Sequence, residues 1–296
     1  MKANLKEGTG LYRHTTVGTG GPARWFGKPE NVQELVDMLG FAEEQGAPVA
    51  AIGLGSNLLV ADEGFPGVAL RLSGSLSYVK TGDTRLVAGG GAALAVCLHR
   101  ARDAGLGGLE FACAIPGTVG GAVWMNAGAY GGDVSGLLVR ALVATSRGTR
   151  WRTPAELGLR YRRSDLIQGQ VVAAAELQLV ERPREEIREL VSELQAARKD
   201  AQPTTRRTFG SVFKNPDHDL SAGRMLDACG LRGHRIGGAQ ISPKHANFIE
   251  NVAGARTADA LALIGEARRR AVEQFGVVLE PEVQLLGAIE FPPVER

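Results

Sequence analysis

The chain has no run approaching the roughly 18 apolar residues that span a bilayer, and its opening MKANLKEGTGLYRHTT lacks the apolar segment that directs export. Those absences predict a protein that is neither inserted nor exported. Cysteine is scarce: Cys97, Cys113 and Cys229 form an odd set without C-x-x-C spacing, which excludes a disulfide framework and a zinc ribbon and fits a reducing cytoplasm. An excess of charge is missing too. With 34 basic against 32 acidic side chains the net charge is +2, so neither nucleic acid nor a membrane surface is expected as a partner. His14, His99, His218, His234 and His245 never approach the i, i+4 spacing of a helical zinc site, and no metal is expected. No G-x-S-x-G elbow occurs, nor the Gly-Lys-Ser/Thr ending of a P-loop.

What the chain does have is glycine, 40 residues in 296, clustered at 53–55, 89–91, 105–108, 117–121 and 128–132 without a repeat period. Such clusters indicate recurrent close backbone approaches rather than a flexible tract. The length predicts about two domains, and a hydrophobic content of 44% is that of a globular protein.

In "AAIGLGSNLLVADEGFPGVALRL", residues 50–72, Gly53 and Gly55 follow an apolar run. The dinucleotide fingerprint G-x-G-x-x-G fails here, because its third position is Leu58 and a short strand, Leu58 to Val60, follows instead of a helix. Two readings remain open for the loop: an anion-binding concavity of bare N–H groups, or a tight strand connection. The second glycine segment, residues 108–133, reads as a glycine-rich crossover or as the lining of a flat cofactor.

Periodicity predicts a helix over 31–45 with Val32, Leu35, Val36 and Leu39 inward, and others over 92–104, 183–199, 221–229 and 257–275. Strands are predicted over 49–54, 68–72, 85–88, 139–145 and 171–180, with a final one in the tail "VVLEPEVQLLGAIEF". The order is that of an α+β protein.

Seven segments in sequence, "HTTVGTGGPA", "GLGSNLLV", "GLEFACAIPGTVGGAVWMNAGAYGG", "YRRSDL", "GSVFKNP", "SAGRMLDACGLRGHRIGGAQISPKHANFIEN" and "LEPEVQLLG", are spread along nearly the whole chain, from His14 to Gly287. Together they resemble the UDP-N-acetylenolpyruvoylglucosamine reductases, flavoenzymes of peptidoglycan precursor synthesis. The resemblance implies a vanillyl-alcohol-oxidase type FAD-binding fold of two α+β subdomains, residues 1–70 with 281–296 and residues 71–200, plus a C-terminal α+β substrate domain, 201–280. It implies FAD as cofactor and NADPH as co-substrate, with hydride passing by way of the flavin to C3 of the enolpyruvyl group. No obligate protein partner is implied.

By the same resemblance, Gly53, Gly55, Ser56, Asn57 and Leu58 cradle the FAD pyrophosphate. Ile115, Pro116, Gly117, Thr118, Gly120, Gly121, Ala122, Asn126 and Gly128 lie along the isoalloxazine and its phosphate arm. Arg162 matches the catalytic arginine, Ser211 the proton donor and Glu282 the acidic partner, with Glu280 as the alternative to Glu282. Lys214, Asn215 and His245 fall at the nucleotide end of the substrate. Gln284 stands where the family commonly has Arg, and Thr208-Phe209 where it has small residues. Only 48 residues separate Arg162 from Ser211, which points to the shorter subclass without a substrate-covering Tyr loop. A sugar-lactone or hydroxy-acid oxidase of the same fold is the competing enzyme reading, and a flavin- or nucleotide-binding module without turnover the non-enzymatic one.

Overall fold

The computed structural model describes residues 4–294. The first half of the chain runs β1 (Leu5–Gly10), β2 (Pro22–Gly27), α1 (Val32–Glu44), β3 (Val49–Ala51), β4 (Leu58–Val60), β5 (Phe65–Leu70), β6 (Val79–Gly82), β7 (Arg85–Gly89), α2 (Leu94–Asp103) and β8 (Leu106–Gly107). Next come α3 (Val119–Met125), β9 (Gly128–Ala129), β10 (Gly132–Asp133), β11 (Leu138–Thr145), β12 (Gly148–Arg152), β13 (Val171–Gln178), β14 (Val180–Glu181) and α4 (Arg184–Ala201). The chain ends with β15 (Thr208–Ser211), α5 (Ala222–Ala228), β16 (Arg235–Ile236), β17 (Ala239–Ile241), β18 (Phe248–Asn251), α6 (Thr257–Phe275) and β19 (Gln284–Leu286).

These elements divide into two units. One takes in residues up to Gly8, Arg24–Leu54 and Pro66–Arg198; the other takes in Thr9–Ala23, Gly55–Phe65 and the chain from Lys199 on. The first holds a four-stranded sheet, β1-β2-β5-β3, and a five-stranded one, β12-β11-β13-β7-β6. In β13 the run VVAAA is buried on both faces: Val171 and Ala173 join the core under α1, Val172 and Ala175 the core under α2 and α3. A strand covered twice reads as a continuous apolar run instead of an alternating one.

Asn31 starts α1 by accepting from Glu34 N at 3.0 Å, and the Glu34 carboxylate accepts in return from the Asn31 carboxamide at 2.8 Å. The buried stripe of α1 is Leu35, Met38, Leu39 and Ala42. Leu35 and Leu39 face inward as expected, while Val32 is exposed and Val36 half-buried, so the stripe is rotated by about a sixth of a turn toward Met38 and Ala42.

The second unit packs α5 and α6 over one face of the antiparallel sheet β15-β18-β17-β16, around Phe209, Phe213, Met225, Leu226, Ile249 and Ile264. Its other strand pair is parallel, β4 with β19, in the register Leu58↔Gln284 to Val60↔Leu286. The long final strand expected from the tail shrinks to these three residues. Gly287 ends it at φ +103°, where an added Cβ would collide with the Gly64 carbonyl oxygen.

Candidate active site

In the first unit the two glycine segments meet. A Cβ built on Gly53 would lie 2.6 Å from Thr118 Oγ1, so only glycine lets the end of the first segment touch the second. The second segment is not the plain crossover of the sequence reading, for Thr118 caps a helix, α3, by accepting from Gly121 N at 3.4 Å. Its glycines fall into two kinds. Gly120 is needed by the fold, because its Cβ would stand 3.0 Å from Gly90 O and 3.1 Å from Val172 O. Gly117 and Gly121 are not: their added Cβ atoms would find nothing nearer than 3.7 and 3.6 Å, and neither has a left-handed φ. The fold does not require glycine there, and the bare backbone leaves room for a group from outside the chain to approach closely. That is the fit expected of a cofactor lying against residues 117–121.

Asn126 ends α3 in the left-handed region at φ +41° and is 2% exposed. Its carboxamide donates to Arg160 O at 3.1 Å and to Asp133 Oδ2 at 3.3 Å, and accepts from Ser135 N at 2.8 Å. The side chain thus ties the β9–β10 ribbon to the turn that carries Arg162. In that turn Arg160 and Arg163 exchange both backbone hydrogen bonds, at 2.9 and 3.0 Å, leaving Tyr161 and Arg162 as its tip. Arg162 sits at φ +53°, donates from its guanidinium to Gly128 O and lies 4.9 Å from the Tyr161 ring centre. Non-glycine residues held at positive φ concentrate at functional sites. Three of the four in the described chain, Asn126, Tyr130 and Arg162, belong to this one neighbourhood.

The second unit holds the remaining residues. Gly55, at φ +68°, has the His14 carbonyl oxygen where its Cβ would be, so backbone packing already demands glycine at this position. Thr16 anchors the same loop: its N–H donates to Gly55 O at 3.1 Å and its hydroxyl reaches both Gly55 O and Thr208 O. Asn57 donates from its carboxamide to Glu282 O at 3.2 Å, and Gln284 N donates to Asn57 O at 3.1 Å. A Cβ on Gly210 would stand 3.1 Å from Ser56 O. Residues 55–58 are therefore fastened to the strand of Ser211 on one side and to the segment of Glu282 on the other.

Ser211 pairs with Phe248 at the end of β15, and Glu282 N donates to the next carbonyl, Val212 O, at 2.8 Å. Ser211 and Glu282 are thus brought together; Arg162 belongs to the other unit. Glu280 has a different neighbour, Lys214, whose ammonium is 2.7 Å from its carboxylate. Asn215 accepts from Ala222 N at 3.2 Å, and His245 lies against Gly223, so both border the start of α5. Burial, then the nearby Arg232 charge, push the His245 imidazole below its ordinary range. Among the described residues no cluster of His, Cys, Asp and Glu fits a metal ion, and no helix is long and apolar enough to cross a membrane.

Sequence reasoning gave no role to Thr16 or to Asn247. Thr16 lies inside a quoted motif, and its signal was a hydroxyl among small residues; Asn247 had only its place in "KHANFIEN".

Residues 24–153 match the model of an FAD binding domain, and residues 202–286 match the C-terminal domain of UDP-N-acetylenolpyruvoylglucosamine reductase. The reductase of that name from Anaeromyxobacter dehalogenans is 44% identical, over 96% of this chain and 86% of its own. A second such reductase, from Symbiobacterium thermophilum, is 42% identical over 96% of this chain and 92% of its own. The crystal structure of the Thermus caldophilus reductase superposes with a TM-score of 0.83 at 40% identity, covering 95% of this chain and 99% of that one. Likeness of this depth, running through both units and every segment assembled above, makes the chain a member of the UDP-N-acetylenolpyruvoylglucosamine reductase family.

Proposed function

We propose that this chain reduces the enolpyruvyl ether of UDP-N-acetylglucosamine to UDP-N-acetylmuramate, with NADPH as reductant, in the making of peptidoglycan precursor. The observation that carries the reading is the reductase likeness along the whole chain, at 40% identity or more in sequence and in fold. Bound FAD supplies hydride transfer in two separate halves, accepting from NADPH and giving to the substrate. Gly53, residues 55–58 and residues 117–121 would hold it. The divisions 1–70 with 281–296, 71–200 and 201–280 serve as the two flavin subdomains and the substrate domain.

The chain's own residues have three tasks once hydride reaches C3. Negative charge developing toward C2 and the carboxylate needs a cation: Arg162, pinned by Gly128 O and Tyr161, offers a planar fork that matches a carboxylate. Ser211 gives the proton of its Oγ to C2 as general acid. Glu282 backs the developing enolate by donating from its protonated carboxyl. Glu282 is favoured over Glu280, which is exposed and turned to Lys214. At the nucleotide end, Lys214 is a compact donor for a diphosphate, and an incoming phosphate would share it with Glu280. Three free cysteines fit a reducing cytoplasm, and the small-molecule substrates call for no obligate protein partner.

Oxidation of NADPH, followed by its absorbance with and without the UDP-enolpyruvyl sugar, tests the activity. Turnover that needs the sugar is expected; turnover indifferent to it would sink the reading. Ser211→Ala tests the proton donor. Bleaching of the flavin by NADPH should persist, while recolouring by the sugar should slow by roughly 10²- to 10⁴-fold, the usual worth of a positioned acid. Recolouring within about threefold of wild type would remove Ser211 from the chemistry.

A further inference from the structure

The strand that carries Ser211 changes partners immediately after it. Up to Ser211 it pairs with β18, and Val212 N still reaches Asn247 O at 2.9 Å. From there it pairs with residues 280–282: Glu282 N donates to Val212 O at 2.8 Å, Lys214 N to Glu280 O at 2.9 Å, and Phe213 stands opposite Pro281. In an antiparallel ladder the residue between two such bonds turns its own N–H and C=O to the other side. For Phe213 that side is the one where β18 has already diverged. Both groups would be left buried and unpaired, at a cost the fold must avoid.

Asn247 fills this gap. Its Oδ1 accepts from Phe213 N at 3.0 Å and its Nδ2 donates to Phe213 O at 2.9 Å, and the residue is 4% exposed. One carboxamide thereby imitates a strand partner at the switch between two ladders. Only a neutral amide offers donor and acceptor side by side; an ionised carboxylate offers acceptors alone. Its own N–H is fixed in turn, donating to His245 Nδ1 at 3.2 Å.

We propose that Asn247 is a positioning residue for the proton-transfer step: by fixing Phe213 it sets the register in which Ser211, on one ladder, stands beside Glu282, on the other. The inference rests on the reading of Ser211 as proton donor. Every link from Asn247 through Phe213 and Val212 to Glu282 lies within one unit.

The test uses Asn247→Asp, which keeps shape and acceptor but loses the donor, and Asn247→Ala, which loses both, each prepared with bound flavin. Stopped-flow bleaching by NADPH should stay within about threefold of wild type. Recolouring by the enolpyruvyl sugar should slow about 10- to 100-fold, the scale of a misplacement near 1 Å. Hydrogen exchange at the 212–214 amides should quicken in both variants, a readout independent of turnover. In a Ser211→Ala background Asn247→Asp should add less than threefold, because the acid it positions is gone. Equal slowing of both half-reactions, full additivity with Ser211→Ala, unchanged recolouring, or failure of both variants to fold with flavin would each overturn the proposal and leave Asn247 a structural clamp. If Ser211→Ala alone recolours normally, it is the reading of Ser211 that fails, whatever Asn247 does.

Discussion

Glycines of similar appearance in the sequence have different reasons to be there. Gly55 is held left-handed against the His14 backbone, so Gly55→Ala should destabilise the flavin-free protein by more than about 1 kcal/mol, the strain of a side chain in that conformation alone. Gly121 is exposed with open space around its missing side chain. Gly121→Leu should leave the melting of the flavin-free protein within about 0.5 kcal/mol of wild type, as surface changes usually do, while weakening FAD at least tenfold. Melting curves and flavin titration of the two variants check both; flavin affinity unchanged in Gly121→Leu would move the cofactor away from α3. His245 gives a prediction in pH. Its imidazole is disfavoured as a cation in the fold, while the unfolded chain takes up that proton near pH 6.5. Its contribution to stability is therefore full above about pH 6.5 and is lost as pH falls below it. Melting temperatures measured from pH 8 to 5 should drop on the acid side, and His245→Gln should flatten that slope.

Among the elements, α6 was legible residue for residue, because a 3.6-residue stripe of Ala260, Leu263, Ile264, Ala267 and Ala271 is buried along its length. What could not be read was how it begins. Asp62, in a turn far away in sequence, accepts from Thr257 N at 2.9 Å and Ala258 N at 3.0 Å, supplying from outside the helix what a cap supplies from within. Asp62→Ala should cost about 0.5–2 kcal/mol, the range for a lost cap, measured by urea unfolding. Arg256→Ala should cost little, since Arg256 is two-thirds exposed and 3.7 Å from Asp62. A small loss at Asp62 would assign the start of α6 to its own residues. The short strands β14 to β18 left little trace because two to four residues cannot display a period, and α3 hid behind glycines that argue against a helix. The proposed site residues Arg162, Ser211 and Glu282 could be picked out in the sequence because they stand in compact motifs. Asn247 could not, because its importance lies in a change of ladder partners that no local pattern encodes.

At the scale of the molecule, flavin should be held without a covalent bond. Burial pushes the thiol of Cys113, which lies within the second glycine segment, above its ordinary range, against the opposing effect of Arg198. A thiol so disposed is a poor nucleophile. Acid precipitation should release all the flavin to the supernatant; colour left in the pellet would point to Cys113. A consequence for biosynthesis follows from the parallel pair β4–β19. Leu58 leaves the ribosome 226 residues ahead of its partner Gln284, and contacts so distant in sequence close late. Translation must be nearly finished before β4 gains its neighbour, so the nascent chain carries an open strand edge for most of its synthesis. A chain cut at Pro281 should therefore accumulate as aggregate, recovered in the pellet and not in the soluble fraction, while the full-length chain is recovered soluble.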